Sequence, residues 1–338
     1  MKGIDYNGNY SFKKGRYKKV FTMKDAIQSC KDALELYSRG KSDIPLRINI
    51  DIPNQDAQSL YMPGYAADAN ALGVKIISVY PNNIKKGIST VPATMVLLDN
   101  ETGEVCSLID GTYLTRIRTG AVAGAATDLL SRKDSKIFSL FGTGGQAEEQ
   151  LEAVLTIRDI EEVRVYDINP ENAETFVKAM NEKFADKFKV KINSVKSPDE
   201  AVKDADIITA VTTSKKPVFD GKLVKKGAHI NGVGSYTPDM QELDEYIICN
   251  ADKLYVDTRD GALNESGDLI IPIRQNKFSE DRVTGELGEL IMGSISSREN
   301  EDEITLFKTV GSGVLDIVTA RRIYERALKE KIGQFVEI

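Results

Sequence analysis

The feature that narrows this chain most is Gly142-Thr143-Gly144-Gly145-Gln146-Ala147, which follows an apolar strand predicted over 136–141 and opens a helix predicted over 148–158. In a strand-to-helix turn of this form Gly142 permits the tight bend, Gly144 lets the backbone approach a pyrophosphate, and Ala147 keeps the helix close to the sheet. Amide groups and the positive end of the helix dipole then face the phosphates. The next predicted strand, 163–166, ends on Asp167, where a carboxylate can accept hydrogen bonds from both hydroxyls of an adenosine ribose. An aspartate there repels a 2′-phosphate, so NAD(H) is favoured over NADP(H), although Asn169 and Lys178 nearby leave room for the second cofactor.

The alternation continues through a helix over 171–184, a strand over 190–195, a short helix over 199–204, and strands over 207–211, 229–233 and 253–256. Strands alternating with helices imply βαβ units and a parallel sheet. The first third follows a different grammar. A helix over 21–39, closed by Gly40, precedes short alternating or β-branched segments at 46–52, 59–63, 73–80, 93–98 and 104–109. The last two are joined by Asp99-Asn100-Glu101-Thr102-Gly103, a hairpin signal. An Ala- and Gly-rich helix over 112–131 follows, and an amphipathic helix over 314–331 is long enough to return to this region. The expected architecture is α/β: a dinucleotide-binding domain over 128–313 inserted in a smaller α+β domain built from 1–127 and 314–338.

Composition removes several chemistries. Across 338 residues there are 45 Lys plus Arg against 51 Asp plus Glu, a net charge of -6, which argues against a basic nucleic-acid binder. One histidine, His229, and three scattered cysteines, Cys30, Cys106 and Cys249, offer neither a protein-built metal site nor a Ser-His-Asp triad. His229 precedes a buried strand and is read as satisfying backbone groups. The odd cysteine count fits a reducing compartment. No apolar stretch marks a targeting or membrane-spanning segment, so a cytoplasmic location is expected. A Gly-bearing stretch over 264–269 reads as a loop whose acids are solvated.

Three cations stand in apolar or small-residue settings: Arg47 in Pro45-Leu46-Arg47-Ile48, Lys75 in Gly73-Val74-Lys75-Ile76-Ile77, and Arg118 in Arg116-Ile117-Arg118-Thr119-Gly120-Ala121. Arginine can hold a carboxylate through two parallel hydrogen bonds, and a lysine in an apolar strand can have its pKa lowered toward acid–base use. Periodicity alone equally allows each to be the polar edge of a half-exposed element.

Taken in order, Lys75 with Val79-Tyr80-Pro81-Asn82-Asn83, the segment Leu114–Ala121, the glycine loop with Gln146-Ala147, His229-Ile230-Asn231-Gly232-Val233-Gly234, and Phe307-Lys308-Thr309-Val310-Gly311 resemble the ornithine cyclodeaminase and mu-crystallin family. The resemblance runs from about Arg47 to the last helix. It implies a Rossmann domain with a second, dimerising domain, and hence a homodimer. It also implies that Arg47 and Arg118 bind the carboxylate of an amino or imino acid, with Lys75 beside the reacting carbon and nitrogen. By the same resemblance Gly142, Thr143, Gly144, Gly145, Gln146 and Ala147 form the phosphate loop, Asp167 contacts ribose, and Thr119, Thr212 and Val310 lie along the cofactor. Where members that convert ornithine to proline carry an acid after the Val-Gly turn, this chain has Tyr236, in Gly234-Ser235-Tyr236-Thr237-Pro238-Asp239. That departure moves the expectation from ornithine cyclodeamination toward NAD-dependent reduction of a ketimine of the pyrroline-2-carboxylate type, or oxidation of a small amino acid. A mu-crystallin-like role in binding a small ligand is the alternative of another class.

Overall fold

The computed structural model describes residues 9–12 and 21–336, so most of the N-terminal segment inspected for a targeting stretch lies outside the described residues. The chain divides into two units, Met1–Arg118 with Ser312–Ile338, and Thr119–Gly311. The first crossing falls inside the helix Gly111–Leu130, earlier than the limit at 127, and the second falls at Gly311, whose φ of 80° is left-handed.

In the first unit the leading helix spans Met23–Ser38, and its start is fixed by a capping box in which Thr22 and Asp25 satisfy each other's backbone amides. It is closed by Gly40 at a φ of 67°, a conformation that favours glycine. Seven strands follow the chain: β1 (Asn9–Phe12), β2 (Ser42–Asp43), β3 (Ile48–Ile52), β4 (Ala57–Ala66), β5 (Ala71–Val79), β6 (Ala93–Leu98) and β7 (Val105–Asp110). With the C-terminal strand Gln334–Val336 they form a sheet in the order Gln334–Val336, β1, β7, β6, β5, β4, β2, with β3 also paired to β4. The β6–β7 turn closes as expected, since the Asp99 carboxylate accepts from the amides of Glu101 and Thr102. The helix Gly313–Lys329 belongs to this unit. It buries Leu315, Val318, Ile323 and Ala327 almost completely, and each large apolar side chain so removed from water contributes about 1.5–3 kcal/mol. Gly64 on β4 admits this helix closely, because a Cβ there would stand 3.1 Å from Ile317 Cδ1.

The second unit carries β8 (Ile137–Phe141), β9 (Glu162–Tyr166), β10 (Lys191–Ser194), β11 (Ile207–Ala210), β12 (His229–Gly232), β13 (Lys253–Val256), β14 (Gly285–Glu286) and β15 (Thr305–Lys308). All pair in parallel, in the order β10-β9-β8-β11-β12-β15-β13-β14. From β8 the chain steps outward to β9 and β10 and then returns to β11 on the other side, so the strand order reverses between β8 and β11. In a doubly wound sheet that reversal opens a crevice at the carboxyl ends of the strands, where ligands bind.

Two sequence expectations need correction here. The stretch 264–269 is not a solvated loop: it spans the junction of the helices Arg259–Glu265 and Gly267–Arg274, and Asp268 is fully buried. Gly267 and Pro272 hid the helical periodicity. β15, which lies between β12 and β13, was legible only as a motif, because Lys308 interrupts its apolar run while being fully buried itself. His229 is buried too, with Nδ1 3.0 Å from Thr305 Oγ1 and Nε2 3.1 Å from Asn231 Oδ1. Burial pushes its pKa down to about 3, leaving a neutral imidazole.

Candidate active site

Alternation along β5 sends Ala71, Gly73, Lys75 and Ile77 to the covered face and leaves Ile76 outward. Lys75 is therefore 1% exposed, opposite Met62 on β4 and Met95 on β6, both buried. An ammonium in such a setting needs a counter-charge. Asp316, in the first turn of the helix Gly313–Lys329, supplies it: its Oδ2 lies 2.6 Å from Lys75 Nζ, and its Oδ1 accepts from Arg118 Nε at 2.9 Å. Burial alone would push the Asp316 carboxyl up, but the charges of Arg118 and Lys75 and their hydrogen bonds hold it below the usual carboxylate range. Burial pushes Lys75 down to about 7, against the raising pull of Asp316, with the positive charges of Arg118 and Arg47 lowering it further. Arg47 is half-buried just ahead of β3. The first unit thus brings Lys75, Arg118 and Arg47 into one electrostatic neighbourhood around a carboxylate.

Asp316 is the residue that sequence reasoning missed. A signal was present, since an aspartate between Leu315 and Ile317 interrupts the apolar stripe of the last helix. Its partners, however, lie 241 and 198 positions away.

In the second unit Gly142 has a φ of 95°, and a Cβ there would stand 2.9 Å from both Thr212 Cγ2 and Val211 O. Only glycine makes this turn without displacing the β11 loop. At Gly144 and Gly145 a Cβ would meet open space, so that side of the loop is accessible to a ligand. The helix Ala147–Ile157 begins there with Gln146 as N-cap, and no side chain caps its first amides. Gln146 Oε1 is buried with no partner. Asp167 closes the opposite side: its Oδ2 accepts from Thr143 N at 3.0 Å and Thr143 Oγ1 at 2.7 Å, and its Oδ1 from Asn169 N at 3.0 Å. An open glycine cradle, uncapped amides, an orphaned acceptor and an acid at the second strand's end fit the adenosine and pyrophosphate of a dinucleotide.

The remaining expected residues of this unit take separate places. Thr119 accepts through its carbonyl from Gln150 Nε2 at 3.1 Å, and Thr212 begins the loop after β11. Val310 lies in the turn after β15, which buried Asp257 holds by accepting from Thr309 Oγ1 at 2.5 Å, Val310 N at 3.1 Å and Gly311 N at 2.8 Å. Tyr236 is half-buried in the loop after β12, where Asp239 is engaged by Lys215 at 2.5 Å and by Thr237 Oγ1.

The model of the ornithine cyclodeaminase/mu-crystallin family matches residues 15–331. The chain belongs to this family. Among its relatives is a Delta(1)-pyrroline-2-carboxylate reductase of Bacillus cereus, 40% identical over 320 residues that cover 95% of this chain and 97% of the relative. A solved structure of the Thermococcus litoralis Delta(1)-pyrroline-2-carboxylate reductase, in complex with NADH and L-proline, superposes with a TM-score of 0.92 at 42% identity, covering 97% of this chain and 100% of that one. An archaeal alanine dehydrogenase dimer with bound NAD superposes with a TM-score of 0.88 at 30% identity, covering 97% and 98%. Among the described residues of this family member no helix is long and apolar enough to cross a membrane, and no group of three or more His, Cys, Asp and Glu is placed to hold a metal ion.

Proposed function

We propose that this family member is an oxidoreductase that reduces a cyclic ketimine of the pyrroline-2-carboxylate class with NADH. The observation that carries the reading is the buried Lys75–Asp316–Arg118 cluster, with its lysine poised near neutrality. Bound by the second unit, NADH would supply the hydride that the reduction of the imine carbon requires. Arg118, with only Nε spent on Asp316, and Arg47 bind the substrate carboxylate and fix the imine carbon in place. Lys75 delivers a proton from Nζ to the imine nitrogen, so that the C=N bond becomes a secondary amine with one hydride and one proton added. Asp316 keeps that ammonium oriented and charged until the proton moves. Cyclodeamination of ornithine would need a free acid for the terminal amine, and Asp239 of the loop after β12 is already occupied by Lys215. The phosphate loop from Gly142 to Ala147 with Asp167, together with Thr119, Thr212 and Val310, holds the cofactor. The unpaired Cys30, Cys106 and Cys249 support a reducing, cytoplasmic location.

Purified protein given NADH and Delta(1)-pyrroline-2-carboxylate is expected to consume the reduced nicotinamide. Ammonia release from ornithine with catalytic NAD, in the absence of that first reaction, would overturn the assignment.

Asp167 sets the cofactor preference. A 2′-phosphate would meet its carboxylate, so NADH is expected to bind at least about tenfold tighter than NADPH, and Asp167→Ser is expected to narrow the gap. Equal binding of the two by the unaltered protein in a fluorescence titration would refute this.

The reading includes a homodimer joined through the outer face of the first unit. Among the described residues β3 pairs only with β4. Leu46 just ahead of it and Ile48 and Ile50 on it are 50–58% exposed, and Ile48, Tyr61 and Ile76 form one row across β3, β4 and β5. An exposed apolar strand edge of this kind calls for a cover, and a second copy of the same edge provides one. Light scattering is expected to give about twice the 37.3 kDa chain mass, and Ile48→Asp with Ile50→Asp to return the monomer. A monomer before substitution would remove this part of the reading.

A further inference from the structure

Three fully buried ionisable side chains stand together in the second unit, and nothing in the mechanism above uses them: Glu242, Asp268 and Lys308. Glu242 Oε1 accepts from the amide of Thr212, and its Oε2 accepts from the amides of Gly234 and of Ser235, the last at 2.9 Å. One carboxylate thereby ties the loop leaving β11 to the loop leaving β12. Its own backbone is fixed in turn, since Asp268 Oδ1 accepts from Glu242 N at 2.7 Å and Leu243 N at 3.0 Å. Lys308 Nζ forms an ion pair with Asp268 Oδ2 at 2.9 Å.

The place of these loops follows from the sheet order. If Asp167 at the end of β9 holds an adenosine ribose and the glycine turn after β8 holds the phosphates, the remaining half of a dinucleotide would reach across the strand reversal toward β11 and β12. The packing is continuous in that direction. A Cβ at Gly142 would touch Thr212, and a Cβ at Gly234 would stand 2.0 Å from Thr212 O and 2.6 Å from Glu242 Oε1. The glycine turn, the β11 loop, the β12 loop and Glu242 are thus stacked in series without slack.

We propose that Glu242 is a positioning residue for the nicotinamide half of the cofactor, acting by clamping the β11 and β12 loops to one another. Both carboxylate oxygens are needed, because glutamine would turn an NH2 group toward at least one of the three amides. Burial pushes the Glu242 carboxyl up to about 7, against the Lys308 ammonium, while the donated amides favour the charged form. The inference rests on the dinucleotide reading and not on which imine is reduced.

The test compares NADH with ADP-ribose, which carries the adenosine and both phosphates but no nicotinamide. Glu242→Gln is expected to weaken NADH binding by about tenfold or more, measured by calorimetry, and to leave ADP-ribose within about twofold. Equal losses for the two ligands, or no loss for either, would overturn the inference. Wild-type protein that binds neither ligand would instead sink the dinucleotide reading beneath it. Should Glu242→Gln fail to fold in a thermal melt, Asp268→Asn takes its place. It keeps the acceptor for the Glu242 and Leu243 amides but frees Lys308 to pull Glu242 off the loops, and the same half-selective loss is expected.

Discussion

Lys75→Met is expected to lower kcat/KM for imine reduction by about 10²–10⁴-fold, the range that a positioned proton donor supplies, while the chain stays folded. Methionine matches the lysine stem in length, and its neighbours on β4 and β6 are Met62 and Met95, so the site accepts it without a cavity. Asp316 then remains paired with Arg118, and no charge is stranded. Steady-state NADH oxidation beside a circular-dichroism melt separates the two effects, and an activity loss smaller than about tenfold in a folded variant would remove Lys75 from proton transfer. In the unaltered protein the rate is expected to fall as pH rises through about 7, because the proton to be donated is then lost from Nζ.

Asp316→Ala is expected to cost about 3–5 kcal/mol of stability, since it leaves the Lys75 ammonium and the Arg118 guanidinium buried together without a counter-charge. It should also move the descending limb of the pH profile to lower pH, because the carboxylate is what raises the lysine against its burial. Asp316→Asn separates shape from charge: it keeps the side-chain volume and is expected to show the same direction of pH shift. Linkage gives a further sign. With Lys75 depressed from 10.5 to about 7, the native state binds fewer protons than the unfolded chain between those values. The lysine's contribution to stability therefore rises with pH across that window. Urea unfolding at several pH values reads the stability and its pH dependence, and steady-state rates across pH read the shift of the limb. A wild-type-like urea midpoint together with a wild-type-like rate profile in Asp316→Ala would contradict the role given to this carboxylate.

Much of the second unit was legible in the sequence because its signals are local. Gly142 reports its own positive φ, Ala147 its own close packing, and Asp167 its place at the end of β9. The strand and helix alternation from 136 to 211 survives because each element carries its own periodicity. Local chemistry was misleading where burial had been balanced from elsewhere. Lys308 broke the apolar pattern of β15, and the acid that balances it, Asp268, lay in a stretch read as solvated loop. Neither side chain is intelligible without the other: the pair left β15 without a strand signal and made 264–269 read as a solvated loop.

The candidate catalytic cluster shows the same division. Arg47, Lys75 and Arg118 were marked by sequence alone as cations out of place, and the family resemblance supplied their roles. Their partner was invisible, since Asp316 reads as one acid in an amphipathic helix until the last helix is folded onto β5. By itself, then, the sequence determined the glycine turn, the parallel α/β grammar and the residue types of the site, all of which are written in short-range spacing. Only the tertiary structure decided which carboxylate answers which cation. In a low-dielectric interior a charge is defined by what it is packed against, and contacts 241 and 198 residues apart are made by the fold rather than by spacing along the chain.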